Sequence, residues 1–520
     1  MKTILTGLLV VLQFSFAYTQ IGSLDSDFSA DGRVTHDFGF DEDLLNDLAI
    51  QPDGKIVAAG STLDGSPGTA ALLRYNPDGT LDNNFGGTGT ILPFQGYSSL
   101  IRVSIDANQK IVAAGNRDFS NDIWVIRLSS NGSYDSTFSF DGQAVIDLGG
   151  VEVTRDMLIQ PDGKIVVCAV ADNRPAFIRL NSDGTLDPTF SGDGKLTLGF
   201  LVDNTIGCIA RQSSGKLVAA FANEDSSEFT ALVTRINTNG TEDNSFATAG
   251  EQIIDLSPAD VSSTLPVRLV IDPSDRVLIA GRTFTSTNTL SSGFVVRLQP
   301  NGSLDNTFNS DGVFIRSISK GNRADAIACQ SDGKYVVGFT IDTFANANME
   351  VIRLLSDGTT DGSFVDINSF PPQTIQVDFA NRSERLTALL LQPNGRIVIG
   401  GRAQMTSDVT SVEFAVARLL NDVELSVNEN VSVSQIRLFP NPASDNFNLE
   451  IDGTDNATFT VHLTNAIGQY VTLKGENHTL DGNKNIFPFT LPSDIAKGIY
   501  NLSIQLESGN TINHRLVVAD

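Results

Sequence analysis

The chain has 520 residues, 45 of them Gly and 18 Pro, with 35 Lys+Arg against 61 Asp+Glu for a formal net charge of -26. That sign repels phosphate backbones and anionic lipid, which argues against a nucleic-acid partner and favours solubility and divalent cations. After the first residues no apolar run is long enough to span a bilayer, so no transmembrane segment is expected.

The first predicted element is a leader. MKTILTGLLVVLQFSFA joins a lone Lys2 to an apolar run and a Ser15-x-Ala17 pair, the order of a secretory signal peptide over residues 1–20, and no cysteine follows for a lipid anchor. The next segment, IGSLDSDFSADGRVTHDFG (21 to 39), supplies Leu24, Asp25 and Phe28 in an L-D-x-x-F order.

From residue 48 a unit recurs seven times. In the first copy LAIQPDGKIVAAG (48 to 60) leads through a variable stretch to ALLRYNPDGTLDNNF (71 to 85). Three anchors fix the register. The first is a basic residue after the first turn: Lys55, Lys110, Lys164, Lys216, Arg276, Lys334 and Arg396. The second is an arginine in an apolar strand: Arg74, Arg127, Arg179, Arg235, Arg297, Arg353 and Arg418. The third is a D-x-x-F step eight residues further on in six copies, at Asp82, Asp135, Asp187, Asp243, Asp305 and Asp361.

A unit of roughly 50 residues cannot bury its own apolar face and must stack or form a ring. The seventh copy stops after FAVARLLND (414 to 422) without its D-x-x-F step, while the missing step, Asp25 to Phe28, stands at the other end of the chain. A closed ring would use it, because an N-terminal strand pairing into the last unit removes two exposed sheet edges. Within a unit, short apolar runs alternate with P-D-G or N-G turns, in which Pro presets φ and Gly accepts positive φ. The expected fold is all-β: a seven-bladed β-propeller over residues 21–422 closed by an N-terminal strand, followed by a small C-terminal β-sandwich.

A polar linker is expected over 423–435, and a different module over 436–520. The latter opens with IRLFPNPASDNFNLEI and closes with KGIYNLSIQLESGNTINHRLVVAD, and the alternation in NFNLEI, TFTVHL and YNLSIQL predicts half-buried strands.

These motifs carry two resemblances. The I-Q-P-D-G-K-I-V-x-A-G and R-x-x-x-D-G-x-x-D-x-x-F pattern resembles the delta-60 repeats of secreted, NHL-like bacterial β-propellers. The F-P-N-P-A opening, the central G-Q-x-V and the closing G-x-Y-x-L-x-I resemble the type A C-terminal sorting domain of type IX secretion, a Gram-negative export route. That resemblance implies Sec export to the periplasm, recognition by the type IX machinery, and a secreted or outer-membrane surface-attached product. Phe439, Pro440, Asn441, Pro442, Gly468, Gly498 and Tyr500 carry it as recognition or fold elements, and none is catalytic.

The activity of the ring is harder to read, since propellers host many unrelated functions. The arginine and aspartate of each unit are expected to pair and order a hairpin, with Asp25 serving Arg418. Cys168, Cys208 and Cys329 fall in different units, which predicts buried free thiols. Asp25, Asp27 and Asp31 alternate before Gly32 as in calcium loops but lack the rest of that pattern, so turn formation is the favoured reading and calcium the only cofactor considered. Of four histidines His36 alone lies in the ring, so histidine-based catalysis would have to use it; the alternative set is a carboxylate pair drawn from Glu152, Glu224, Glu228, Glu350, Glu384 and Glu413, which break the repeat pattern. The P-D-G face is uniform and the opposite connections vary in length, which places ligand contacts on the variable face, with Tyr97, Phe119, Phe229, Phe284, Phe344 and Phe370 among its aromatics. Trp124 is assigned to blade packing. The expected function is a binding or scaffold module for an extracellular protein or glycan and not an enzyme; the alternative is a hydrolase or lyase with a carboxylate- or metal-based site at the channel mouth.

Overall fold

The computed structural model describes residues 21–520 apart from 64–67, 95, 118–120, 204–205, 226–227, 257–260, 286–290, 317, 319, 343–345, 365–373, 409–410, 422–432, 454–457, 465–469, 472–477, 480–483, 493–494, 496, 507–510 and 520. The leader and Gly468 fall outside that set. The chain divides into two compact units, Met1–Asn421 and Asp422–Asp520.

In the first unit the antiparallel pairings among the described residues make seven groups of four strands. Blade 1 is Glu42–Ile50, Ile56–Leu63, Thr69–Tyr75 and Thr90–Ile91, each paired to the next in order. Blade 2 begins at Ser98–Ile105, blade 3 at Glu152–Ile159, blade 4 at Gly207–Arg211, blade 5 at Val261–Ile271 and blade 6 at Gly321–Cys329. Blade 7 holds Glu384–Leu391, Ile397–Gln404 and Val412–Leu419, and its fourth strand is Arg33–His36, which pairs with Val412–Leu419 from Ala417 to Phe414.

The second and third strands of a blade are covered on both faces, which is why KIVAAG and ALLRY read as unbroken apolar runs instead of alternating ones. Ile56, Val57, Ala58, Ala59, Leu72 and Leu73 are fully buried. The core is accordingly divided between blades. One cluster joins Val57, Ala59 and Leu72 of blade 1 to Val103, Ile111 and Trp124 of blade 2, and another joins Leu45 and Leu48 of blade 1 to Val398, Phe414 and Val416 of blade 7 around Phe28. Trp124 is thus blade packing, its indole Nε1 donating to Gln143 Oε1 at 3.1 Å. All three cysteines are free, with Cys168 and Cys208 fully buried.

The second unit is a sandwich of a three-stranded sheet, with Asn446–Gly453 at its centre, and a five-stranded sheet containing Thr458–Thr464 and Gly498–Leu506. Phe447, Leu449 and Ile451 point inward from alternate positions against Phe459, Leu463, Leu502 and Ile504. Its first strand, Val433–Phe439, starts inside the stretch expected as linker, because V-S-Q-I-R-L-F pairs along Asn448 to Gly453 and so continues the sheet.

Candidate functional site

Each repeat arginine meets its aspartate. The Nε–Oδ2 distance is 2.8 Å for Arg74–Asp82, 2.7 Å for Arg127–Asp135, 2.6 Å for Arg179–Asp187 and 2.6 Å for Arg235–Asp243. It is 2.7 Å for Arg297–Asp305, 2.7 Å for Arg353–Asp361 and 2.6 Å for Arg418–Asp25. The pairs do more than order a hairpin. Each guanidinium also donates across to the next blade: Arg179 to Thr238 O at 2.5 Å, Arg235 to Pro300 O at 2.8 Å, and Arg418 of blade 7 to Pro77 O of blade 1 at 2.5 Å. Beneath it lies the phenylalanine of the D-x-x-F step, 4.7 Å from Arg74 to Phe85 and 5.0 Å from Arg418 to Phe28, a cation–π stack.

The basic anchor completes the joint, with Lys55 3.0 Å from Asp82, Lys164 2.9 Å from Asp187 and Arg396 2.5 Å from Asp25. Burial alone would raise the Asp187 carboxyl, but hydrogen bonds from Lys164, Thr189 and Arg179 overcome it and hold the group well below the usual carboxylate range. The spacing of eight announced the pair; the basic anchor also recurred in all seven copies, but its distance from the aspartate varies with the connection between them, so its partner was not legible.

In the N-terminal loop Asp25 Oδ1 accepts from Asp27 N at 3.1 Å and Asp31 Oδ1 from Arg33 N at 3.0 Å, both turn-forming contacts. Asp25 is held by Arg418 and Arg396, Asp27 lies 3.3 Å from Arg396, and Asp31 lies 3.0 Å from Arg33, so each carboxylate is committed to an arginine. His36 is in the closing strand, and burial lowers its pKa.

The irregular glutamates also resolve. Glu152 and Glu384 open their inner strands fully buried, at the position held by Asp43 in blade 1, Thr264 in blade 5 and Asn322 in blade 6. There the side chain captures a backbone N–H of the incoming loop: Gly150 to Glu152 at 3.1 Å, Phe38 to Asp43 at 2.7 Å, Leu256 to Thr264 at 3.1 Å. Burial pushes Asp43 and Glu384 up to about 7. Glu350 is paired with Arg316, Glu413 is half-buried at the blade 7 edge, and the side chains of Glu224 and Glu228 lie outside the described residues, as do Phe119, Phe344 and Phe370.

The constellation that sequence reasoning missed lines the centre of the ring. Six inner strands carry a β-bulge at the same place, whose extra residues are Asn46, Ile101, Arg155, Val267, Asp325 and Thr387. All six line one cavity of about 340 Å³, together with Arg102, Arg268, Arg282 and Arg323. A bulge re-aims side chains that a regular strand would have tucked between blades. Some charge is matched locally: Arg102 Nε donates to Asp156 at 2.6 Å and Arg323 Nε to Asp325 at 2.9 Å. The match is incomplete. Burial depresses Arg155 to about 10, and burial with the neighbouring Arg323 depresses Arg282, whose Nε is buried without a hydrogen-bond partner. Burial, Arg385 and Arg323 act likewise on Arg402. A larger cavity of about 510 Å³ lies among the P-D-G turns of blades 1 and 7, but its Arg396 and Arg418 are already engaged by Asp25.

Six segments, 51–85, 107–138, 160–190, 273–308, 330–364 and 392–422, match the family described as a domain of unknown function (DUF5122) β-propeller, and 437–519 match the secretion system C-terminal sorting domain. The chain carries DUF5122 propeller repeats and a type IX sorting domain. Each matched propeller segment runs from the P-D-G-type turn to the D-x-x-F step or its place in the sequence, which is the span that builds one joint. No curated protein matches the chain.

Among solved structures, an inactive virginiamycin B lyase from Staphylococcus aureus is similar at 13% identity and a TM-score of 0.42, covering 74% of this chain and 98% of its own. The polysaccharide lyase Uly1 aligns at 10% identity and 0.42, covering 72% and 90%. Sqt1 of Chaetomium thermophilum aligns at 12% identity and 0.37, covering 70% and 81%.

The sorting domain makes this DUF5122 propeller a secreted or cell-surface protein. In that domain Asn441 Oδ1 accepts from Val517 N at 2.8 Å, Ala443 N donates to Val517 O at 2.8 Å, Tyr500 is buried and Phe439 is 39% exposed. The F-P-N-P-A motif therefore ties the first strand to the last while leaving one aromatic ring on the surface. Among the described residues no helix is long and apolar enough to cross a membrane.

Proposed function

We propose that the exported ring is a binding module that takes an anionic ligand, an acidic glycan being the first class to test, into its arginine-lined channel. The observation that carries this reading is the surplus of guanidinium over carboxylate around the 340 Å³ cavity in a chain of net charge -26. Half-buried arginines that depress one another gain most from an incoming carboxylate or sulfate, which supplies charge-assisted hydrogen bonds in a site partly closed to water. The leader implies a Sec-dependent first step, after which the type IX machinery handles the sorting domain and the propeller is released or retained at the surface.

The test is calorimetric titration of the mature chain with polygalacturonate and with a neutral glucan. Binding of the acidic polymer alone, weakened more than tenfold by the Arg282→Ala/Arg323→Ala pair and by added salt, supports the reading. Equal binding of both polymers, or indifference to the double substitution, rejects it. Assaying the same mixtures for new reducing ends or unsaturated uronates tests the hydrolase or lyase alternative.

A further inference from the structure

We propose that Asp122, Asp147 and Glu152 form a binding site for a divalent cation of calcium's character at the junction of blades 2 and 3. One carboxylate oxygen from each of the three lies within 4.8 Å of the others, and of the described residues this is the set that converges in this way. A hard cation with oxygen ligands at roughly 2.4 Å spans about that distance across its own diameter, whereas magnesium demands a tighter shell.

An acidic cluster on a surface would mean little, but one member here is interior. Glu152 is fully buried, its Oε1 accepts from Gly150 N at 3.1 Å, and its Oε2 is buried with no hydrogen-bond partner. A carboxylate oxygen removed from water with nothing to meet it is a standing cost that a bound cation would remove. The joint aspartates provide the contrast. Asp187 faces both Lys164 and Arg179, whereas no ion pair to these three carboxylates occurs among the described residues.

The frame is built as well. Asn116 Nδ2 donates to the carbonyls of Asn121 at 2.6 Å, Asp122 at 3.3 Å and Glu152 at 3.0 Å, while its Oδ1 accepts from Thr154 N at 2.8 Å. One amide thus fixes the strand starts that bear two of the ligands. Asp147 is oriented by Gly149 N, 2.6 Å from its Oδ1. The corresponding positions at the seam of blades 7 and 1 are Asp37, Asp43 and Glu413, and there burial and the two neighbouring carboxylates raise Asp43 to about 7, so that a proton relieves the crowding. At blades 2 and 3 the three oxygens converge within 4.8 Å, the arrangement that a metal ion would bridge.

The test uses the chain's only tryptophan, Trp124, two residues along the strand from Asp122. Terbium at the site should luminesce when the indole is excited, calcium should displace it, and the melting temperature of the mature chain should be higher in calcium than in chelator. Asp147→Asn and Asp122→Asn, both at less buried positions, should cancel the luminescence and the calcium-dependent rise, and Glu152→Gln should do the same where it folds. Absent luminescence with equal melting temperatures in calcium and chelator overturns the proposal, as does a calcium response that survives Asp122→Asn and Asp147→Asn together.

Discussion

The joints under the P-D-G turns and the channel at the centre use the same residue types to opposite ends. At a joint, the two cations close around one aspartate, as Lys164 and Arg179 do around Asp187, and leave no charge to offer a ligand. In the channel, Arg155 and Arg282 are half-buried beside other arginines, and burial with those neighbours lowers the pKa of each. The lesson is that the part of the unit that repeats builds the ring, and the part that departs from the repeat at a bulge builds the site.

The harshest way to break the comparison is to delete the closing segment. A chain beginning at residue 40 lacks the fourth strand of blade 7 and leaves Arg396 and Arg418 without Asp25. It is expected to lose the cooperative transition of the propeller in calorimetry and to be cleaved by protease near blade 7. A sharp transition at an unchanged temperature would show that closure is dispensable.

Next is a single joint against a single channel residue. Arg297→Ala strands the buried Asp305 carboxylate and should cost about 3–5 kcal/mol in denaturant unfolding, since removing one partner leaves an uncompensated charge. Arg282→Ala removes a guanidinium whose Nε has no hydrogen-bond partner and whose pKa burial and Arg323 lower, and its effect on unfolding should stay below about 1 kcal/mol. Equal costs would erase the distinction.

A smaller effect isolates packing at the joint. Gly302 and Gly192 share positive φ, 93° and 92°, so alanine strains both by about 1–2 kcal/mol. At Gly302 the new Cβ would also sit 2.7 Å from Phe246 Cζ of the preceding blade, whereas at Gly192 it meets nothing within 4 Å. Gly302→Ala should therefore be the worse by about 1–3 kcal/mol.

The smallest effect is in pH. Asp135, Asp187 and Asp243 have folded pKa values below their unfolded ones, so their stabilisation is present above about pH 4 and is lost as pH falls further. Asp43 and Glu384, raised to about 7, act in the other sense: their charged forms oppose folding above 7, and acidification from 7 towards 4 relieves it. Melting temperature should peak between those limits, and Glu384→Gln should flatten the alkaline limb.

The sequence was legible where spacing alone decides contact. Arginine and aspartate eight residues apart across one turn had to meet, and Asp25 was assignable to Arg418 because the seventh copy lacked its own. It was illegible where a single residue changes face. The bulges at Arg155 and Asp325 leave no mark in an apolar pattern, yet they turn both side chains into the channel. Glu152 and Glu384 read only as departures from the repeat pattern, because a buried carboxylate reads no differently in a string of letters from one that faces water.

The pairing of Arg418 with Asp25 spans 393 positions, where every other joint spans eight. By loop-closure entropy that difference is about 3.4 kcal/mol, so hairpins and local joints form first and the joint between the two ends of the ring closes last. Until then the protein is an arc with two raw sheet edges, and whatever escorts it outward must tolerate or shield them.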